Sequence, residues 1–340
     1  MRVWMPIVVC GALALGACGT GGGGAEAPGP AVTSAAVTGA SSSPPDSETP
    51  TGAPLPAYHV PTVDATAAST FEQRCGTAAS GSLMTFRGSG GSRLDGAVLG
   101  AGPTVAIFLH QTEPAAMCGW GTYAAWVSTR GVRAVLVDLC GHGASTCSPA
   151  LSAAPVDQVR LVVDWVRAHG ATRVVLVGAS MGGAVALGSA QAVGADALVD
   201  LSGPAQWDGV PDGVVAARHT TIPMLLAVAP SDMSPEPFRA AITASPARHK
   251  VFVEARSGHG WDLVADVRGV DAWVSSLGDR VLRWVTGDYG SWARIRTDAQ
   301  RHGRRGQHRA RGTDEASELR FRRTEAYQCA IRDSNPEPAD

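Results

Sequence analysis

The sequence has little net charge, no long apolar run and no internal repeat. Its 28 Lys and Arg residues nearly balance its 30 Asp and Glu residues, leaving a net charge of −2 over 340 residues. This balance argues against nucleic acid or an anionic surface as a general partner, because both attract an excess of positive charge. The first apolar stretch is shorter than the roughly 20 residues that a membrane-spanning helix needs. With 45% hydrophobic residues, the chain can still form one substantial core.

The N-terminus has the features of a lipoprotein signal. Arg2 is followed by an apolar stretch and then by small residues, which is the order of a secretory signal. The segment LGAC (15–18) resembles the bacterial lipobox, in which cleavage leaves a lipidated cysteine. We therefore predict a lipoprotein signal peptide over residues 1–17. Acyl chains on Cys18 would anchor the protein to the outer face of the cell membrane. An ordinary secretory signal is the alternative.

Composition divides the rest of the chain into three parts. Residues 18–66 are dominated by Gly, Ala, Ser, Thr and Pro and predict a disordered tether, because they cannot bury enough apolar surface to fold. Residues 67–288 are expected to form the folded domain. Residues 289–340 predict a disordered, arginine-rich tail. The peptide RDSNPEP (332–338) offers a second interpretation of this tail, translation past a frameshifted stop codon.

Short apolar runs in the central part predict the strands of a sheet. SLMTF (82–86) and LDGAVLG (94–100) indicate an antiparallel starting pair. Six further β-rich runs follow, from TVAIFLH (104–110) to KVFVEARSG (250–258). These runs lack period-2 alternation, as expected of strands that are covered on both faces in a parallel sheet.

Helical patterns lie between and after these runs. Four valines within residues 156–166 share one helical face, and a second helix is predicted over residues 270–284 from apolar residues at helical spacing: Val270, Trp273, Val274, Leu277, Val281 and Trp284. Apolar strands that alternate with such helices predict an α/β fold, a three-layer α/β/α sandwich with a mostly parallel sheet.

The pentapeptide GASMG (178–182) lies between a β-rich run and a helical run. A G-x-S-x-G segment in this position predicts a sharp strand-to-helix turn that exposes the hydroxyl of Ser180 as a nucleophile. Gly178 and Gly182 allow the close backbone approach that the turn needs. The N-terminus of the following helix would stabilise developing negative charge. A tight turn without catalytic function is the alternative.

A nucleophilic serine needs a base within hydrogen-bond reach and an acid to orient that base. On this type of fold the chain order is serine, acid, histidine. His259 follows the last β-rich run and is the predicted general base, and Asp232 follows the preceding run and is the predicted acid. Asp200 and Asp262 are the rival acids. Both predicted partners fall at the carboxyl edge of the sheet, where open α/β sheets form their sites.

Two further motifs resemble the α/β-hydrolase family, and the resemblance covers residues 82–288. DLCGHGAS (138–145) is similar to the family's D-x-R-G-H-G-x-S turn, with Cys140 in place of the usual residue. His142 is therefore interpreted as a structural residue of this turn. FLHQTEP (108–114) matches the family's H-G turn after the first parallel strand.

The resemblance implies an oxyanion hole made of backbone N–H groups. One N–H group belongs to Met181, and the other belongs to Thr112 or, as the less favoured choice, Gln111. Gln111 replaces the usual glycine of the turn. A non-glycine residue resists positive φ, so this replacement predicts an altered turn geometry.

The implied reaction is a two-step acyl transfer that needs no metal or organic cofactor. The expected partner is a small-molecule or peptide acyl substrate bound by a monomer. Only the segment 204–223 separates two strands at the position where many members of the family carry a cap, so we expect a minimal cap or none. Two alternatives are a catalytically inert binding lipoprotein with this fold and a cofactor-free peroxidase or lyase that uses the same residues.

Four cysteines fall within the predicted domain, namely Cys75, Cys118, Cys140 and Cys147. An even number of cysteines in an extracytoplasmic domain predicts disulfides. The sequence leaves all three pairings open. Each pairing places at least one bridge beside the edge of the sheet that carries the predicted site.

Overall fold

An eight-stranded sheet forms the centre of the computed structural model, which describes residues 52–61, 63–268 and 271–290. The strands are β1 (Gly81–Arg87), β2 (Arg93–Leu99), β3 (Thr104–Leu109), β4 (Arg133–Val137), β5 (Arg173–Ala179), β6 (Ala197–Leu201), β7 (Met224–Val228) and β8 (Lys250–Glu254). Their order across the sheet is β1-β2-β4-β3-β5-β6-β7-β8. The β1–β2 and β2–β4 pairs are antiparallel and the others are parallel. The predicted antiparallel starting pair is thus confirmed.

Helices cover both faces of this sheet. They are α1 (Phe71–Cys75), α2 (Gly121–Ser128), α3 (Pro149–Ser152), α4 (Pro155–Ala168), α5 (Met181–Ser189), α6 (Gly213–His219), α7 (Glu236–Ala244) and α8 (Ser276–Thr286), with short 3-10 helices at Ser89–Gly91, Ala116–Trp120 and Gly260–Val264. Helices α1, α2 and α8 contribute to one apolar core, and α4 to α7 contribute to the other. The predicted three-layer α/β/α sandwich is confirmed.

Strand β3 shows why the sequence lacks period-2 alternation. Ala106 and Phe108 lie in the core on the α2 and α8 side, whereas Val105, Ile107 and Leu109 lie in the opposite core. All five side chains are fully buried. Because both faces of the strand are covered, every position after Thr104 is apolar.

The connection from β6 to β7 contains one described helix, the seven-residue α6. This short connection confirms the expectation of a minimal cap. The carboxyl edge of the sheet therefore carries loops at the place where a cap would otherwise insert.

The prediction of a helix over residues 270–284 is wrong for the first residues of this range. Residues Ala265–Arg268 form β9 and Asp271–Val274 form β10, and the two strands pair as an antiparallel hairpin. Helix α8 begins only after Ser275, whose hydroxyl accepts a hydrogen bond from the Gly278 N–H at 3.0 Å. Trp273 and Val274 therefore lie in a strand. Val270 lies outside the described residues.

Residues 52–61 form an extended segment, here called the strap, that pairs with this hairpin. The Leu55 N–H donates to the Ala272 carbonyl and the Val274 N–H donates to the Ala53 carbonyl, both at 2.8 Å. The His59 N–H donates to the Gly76 carbonyl at 2.8 Å. The strap thus pairs with β10 through the backbone, and the spacing of apolar residues within 270–284 does not predict this pairing.

The predicted disordered tether, residues 18–66, includes the strap. The hydrogen bonds of the strap attach it to the folded domain, so this part of the prediction is wrong. The described part of the domain therefore begins before residue 67. The predicted signal peptide, Cys18 and residues 291–340 of the predicted tail lie outside the described residues. Within residues 52–61, 63–268 and 271–290, no helix is long and apolar enough to cross a bilayer.

Candidate active site

Ser180 occupies a strained turn between β5 and α5. Its φ is 49° and its ψ is −116°, a region that non-glycine residues rarely adopt and that is concentrated at functional sites. The turn is held because the Ser180 N–H donates to the Leu201 carbonyl at 2.8 Å and the Ser180 carbonyl accepts from the Gly183 N–H at 2.8 Å. The side chain remains partly exposed.

The two glycines of the pentapeptide allow close backbone contacts. A Cβ on Gly178 would overlap the carbonyl oxygen of Gly182, and a Cβ on Gly182 would overlap the carbonyl oxygen of Leu109. Neither glycine has a positive φ. The pattern therefore reflects close approach of the turn to β3 and to its own helix, as a nucleophile elbow requires.

Asp232 and His259 meet at the carboxyl edge of the sheet. Asp232 follows β7 and His259 follows β8, and the imidazole Nδ1 lies 2.8 Å from Asp232 Oδ2. A carboxylate accepts a hydrogen bond, so Nδ1 carries the proton and Nε2 holds the free lone pair. No described residue hydrogen-bonds to Nε2. The ring is therefore oriented as a general base.

The loop that carries His259 lies directly over the end of β5. A Cβ built on Gly260 would lie 3.1 Å from the Cβ of Ala179, so the neighbours of His259 and Ser180 are in contact. Among the described residues, the Ser180 hydroxyl has no hydrogen-bond partner. Nucleophile–base hydrogen bonds often form or shorten only in the substrate complex, and the structure brings the two loops together for such a contact.

The two rival acids do not contact the imidazole through their side chains. The Asp200 carboxyl accepts from the Gly203 N–H at 2.7 Å beneath the elbow. Asp262 donates its backbone N–H to the His259 carbonyl at 3.0 Å. Burial raises the pKa of the Asp262 carboxyl, and the nearby charge of Glu113 raises it further. Among the three candidates, only Asp232 has a carboxylate hydrogen-bonded to the ring.

Asp200 gives the protein a pH-dependent stability. Its side chain is 2% exposed, and burial raises its pKa to about 7, although the hydrogen bond from Gly203 lowers it. The unfolded carboxyl loses its proton near pH 3.9. Between about pH 4 and 7 the folded state therefore binds more protons, so stability falls as the pH rises.

Replacing Asp200 with asparagine removes this dependence while keeping an acceptor for the Gly203 N–H. From pH 4.5 to 7.5, the free energy of unfolding of Asp200→Asn relative to wild type should rise by about 3 kcal/mol. Urea denaturation at both pH values measures this difference. A difference that stays constant with pH would contradict the assignment of a raised pKa to Asp200.

His110 orients the turn after β3, here called the β3 turn (residues 110–114). Its Nε2 accepts from the Leu139 N–H at 3.0 Å, so its Nδ1 carries the proton and donates to the Gln111 carbonyl at 2.7 Å. Burial lowers the pKa of His110 to about 4. The ring is therefore neutral at physiological pH and holds one tautomer.

This contact determines the direction of the Thr112 N–H group. The C=O and N–H groups of a trans peptide point in opposite directions, so the Thr112 N–H points away from the His110 ring. The His110 carbonyl accepts from Gly182 N–H at 3.1 Å, which turns the Gln111 N–H away from α5. This orientation favours Thr112 over Gln111 as an oxyanion donor.

The expected strain at Gln111 does not arise. Among described non-glycine residues, positive φ occurs at Ala116, Ser180 and Ser202 only. The β3 turn therefore needs no glycine at position 111. The Met181 N–H begins α5 and, like the Thr112 N–H, has no acceptor among the described residues. Both groups are available to a ligand.

The four domain cysteines form the pairs Cys75–Cys118 and Cys140–Cys147, with Cα–Cα distances of 4.8 and 5.7 Å. The first bridge ties α1 to the 3-10 helix that follows the β3 turn. The second closes the loop after β4. Both bridges therefore fix segments at the carboxyl edge of the sheet.

The ion pair between Arg74 and Asp138, beside these bridges, was not predicted from the sequence. Arg74 Nη2 lies 2.6 Å from Asp138 Oδ2, and the side chains are 9% and 0% exposed. Asp138 Oδ1 also accepts from the Met117 N–H at 2.8 Å. The adjacent His142 ring contacts the His110 ring edge-on at a centroid distance of 4.7 Å, consistent with a structural role for His142. No sequence pattern pairs Arg74 with a residue so distant in the chain.

A cleft of about 940 Å³ lies beside the β3 turn. Glu113 and Trp261 line it from the turn and from the His259 loop, and residues 54–58 of the strap form another wall. The cleft therefore borders the two loops that carry the candidate groups. Within the described part of the chain, no group of three or more His, Cys, Asp or Glu side chains is arranged to hold a metal ion.

Comparisons with known proteins give the family. Residues 106–316 match the model of the alpha/beta hydrolase family. The Pyrococcus furiosus esterase Pf2001 is similar in structure, with 12% identity, a TM-score of 0.49, and coverage of 62% of this chain and 93% of that chain. A Xanthomonas campestris a/b serine hydrolase without lid, XC6422, has 20% identity and a TM-score of 0.40, covering 51% and 83% of the two chains. A search of curated proteins found no match. Because the family model spans more than half of the sequence, this chain belongs to the alpha/beta hydrolase family and is a hydrolase.

Proposed function

We propose that the protein is a serine hydrolase that cleaves an ester, amide or peptide bond through an acyl-enzyme. The observation that carries this proposal is the 2.8 Å contact between His259 Nδ1 and Asp232 Oδ2. It leaves Nε2 without a partner among the described residues, on a loop that contacts Ala179 next to Ser180. A base oriented in this way beside a strained serine is the arrangement that activates a hydroxyl.

Acylation uses each group in turn. The Ser180 Oγ attacks the substrate carbonyl carbon while His259 Nε2 takes the hydroxyl proton. Asp232 accepts from Nδ1–H and stabilises the imidazolium that forms. The Thr112 and Met181 N–H groups donate to the oxyanion, and each such donor typically lowers the barrier by about 3 kcal/mol. The bond to the leaving group then breaks, and Nε2 returns its proton to that group.

Deacylation repeats the same proton transfers with water. His259 Nε2 takes a proton from a water molecule while the oxygen of that water attacks the acyl carbon. The tetrahedral intermediate collapses, the bond between the acyl carbon and Ser180 Oγ breaks, and the serine regains its proton. The free carboxylic acid is the second product. The strain at Ser180 keeps its oxygen exposed throughout both steps.

The lack of a large cap and the adjacent cleft support an open site that accepts substrates of varied size. The test is a panel of p-nitrophenyl esters of rising chain length together with aminopeptidase substrates. We expect release of the carboxylic acid without any added oxidant. Turnover that requires peroxide would support the peroxidase alternative. The absence of turnover and of Ser180 acylation would support the inert binding protein.

We also propose that the protein works as a lipid-anchored monomer outside the cytoplasm. The lipobox at Cys18 supports the anchor, and the two disulfides suit an oxidising compartment. Labelling of a bacterial host with an alkyne palmitate should mark the wild-type protein in the membrane fraction. The Cys18→Ala variant should carry no label. A labelled Cys18→Ala variant, or an unlabelled wild type, would contradict the proposed anchor.

A further inference from the structure

The side chain of Gln111 bridges the β3 turn and the loop that carries His259. Gln111 is 2% exposed, and its Oε1 accepts from the Trp261 N–H at 3.4 Å. Its Nε2 donates to Glu113 Oε1 at 2.6 Å. The side-chain amide of Gln111 therefore contacts both the His259 loop and the β3 turn.

The His259 loop is shaped around this amide. A Cβ on Gly260 would overlap Gln111 Oε1, and Gly260 has a φ of +54°. The residue between His259 and Trp261 is thus limited to glycine by conformation and by the space that Gln111 occupies. The position of the imidazole depends on the same loop, since His259 is the residue next to Gly260.

The backbone of Gln111 is held at the same time. Its carbonyl accepts from His110 Nδ1–H at 2.7 Å and from the Glu113 N–H at 2.9 Å. The Thr112 N–H belongs to the same peptide plane and so points in the opposite direction. The residue that orients the Thr112 N–H therefore also contacts the loop of the base.

We propose that Gln111 is a positioning residue that sets the distance between the oxyanion donor Thr112 and the base His259. This inference rests on the proposed function of the site. The amide fits because it accepts from the Trp261 N–H and donates to the Glu113 carboxylate at once. Glutamate at this position would place two carboxylates in contact, and methionine would keep the length while removing both hydrogen bonds.

The first test compares Gln111→Met with Gln191→Met. Gln191 is exposed, and its Oε1 also accepts from a backbone N–H, that of Thr221 at 2.9 Å, near the start of β7 and thus at the opposite edge of the sheet. We expect Gln111→Met to lower kcat by about 10- to 100-fold with KM changed less than about threefold. Gln191→Met should keep both constants within about twofold of wild type.

The second test exchanges the two partners. Gln111→Glu should lose more activity than Gln111→Met, because of the repulsion from Glu113. The double variant Gln111→Glu with Glu113→Gln restores a donor and an acceptor in reversed order, so it should regain at least about tenfold in kcat over Gln111→Glu. Thermal melting of every variant shows whether the fold is retained, and a purely structural role would make kcat losses follow the loss of melting temperature.

Failure of this inference can be told apart from failure of the proposed function. If Ser180→Ala abolishes turnover while folded Gln111→Met keeps a wild-type kcat, or the double variant shows no recovery, Gln111 does not position the site. If Ser180→Ala keeps wild-type turnover, the proposed function itself fails. A kcat loss at Gln111 without loss of folding, together with recovery in the double variant, supports the inference.

Discussion

Replacing Ser180 with alanine is expected to lower ester turnover by about 10⁴- to 10⁶-fold, because the acyl-enzyme can no longer form. His259→Ala should lose a similar amount, since the variant lacks the imidazole that takes the hydroxyl proton. Initial rates with p-nitrophenyl esters measure both effects, and thermal melting shows that each variant is folded.

Ser202 provides the matched control for Ser180. It follows the neighbouring strand β6, also has a positive φ of 59°, and has a buried hydroxyl with no hydrogen-bond partner in the described part of the chain. Ser202→Ala should keep turnover within about twofold of wild type, because no hydrogen bond of that hydroxyl to a described residue is lost. A folded Ser180→Ala variant with near-normal turnover would refute the assignment of the nucleophile.

Replacing Asp232 with asparagine should lower kcat by about 10³-fold, the largest effect after those of Ser180→Ala and His259→Ala. The amide keeps the shape of the carboxylate, but it is neutral and cannot stabilise the imidazolium that forms during attack. It can also donate its NH2 group to Nδ1, which moves the ring proton to Nε2 and removes the basic lone pair. The partly exposed position of the pair limits the loss relative to a fully buried triad.

The variant Asp262→Asn is the control for Asp232→Asn, because it also removes a negative charge near His259. Asp262 lies three residues after His259 and hydrogen-bonds to it only through the backbone. Asp262→Asn should lower kcat less than about tenfold. An Asp262→Asn loss equal to that of Asp232→Asn would mean that Asp232 is not the orienting acid.

The sequence predicts the fold and the candidate groups where local chemistry is sufficient. Apolar runs specify strands that are buried on both faces, as in β3, and the GASMG segment specifies the turn at Ser180. Asp232 and His259 could be chosen because each follows a strand of a parallel sheet. The carboxyl ends of such strands meet at one edge, so residues distant in the chain come together there.

Long-range contacts explain what the sequence could not predict. Residues 271–274 have helical spacing, but pairing with the strap and with β9 makes them a strand. Gln111 departs from the glycine of the family turn, yet its φ is not positive, and its side chain fills space left by Gly260. The Arg74–Asp138 ion pair likewise depends on the docking of α1. Periodicity carries no information on such contacts.

Mass spectrometry after reaction with a fluorophosphonate probe tests most directly whether three separate loops make one hydroxyl nucleophilic. The probe should form one covalent adduct on the peptide that contains Ser180, labelling should be lost in Ser180→Ala, and it should be much slower in His259→Ala. A folded wild-type protein that forms no adduct, or that is labelled at another serine at the same rate in all three proteins, would contradict the account.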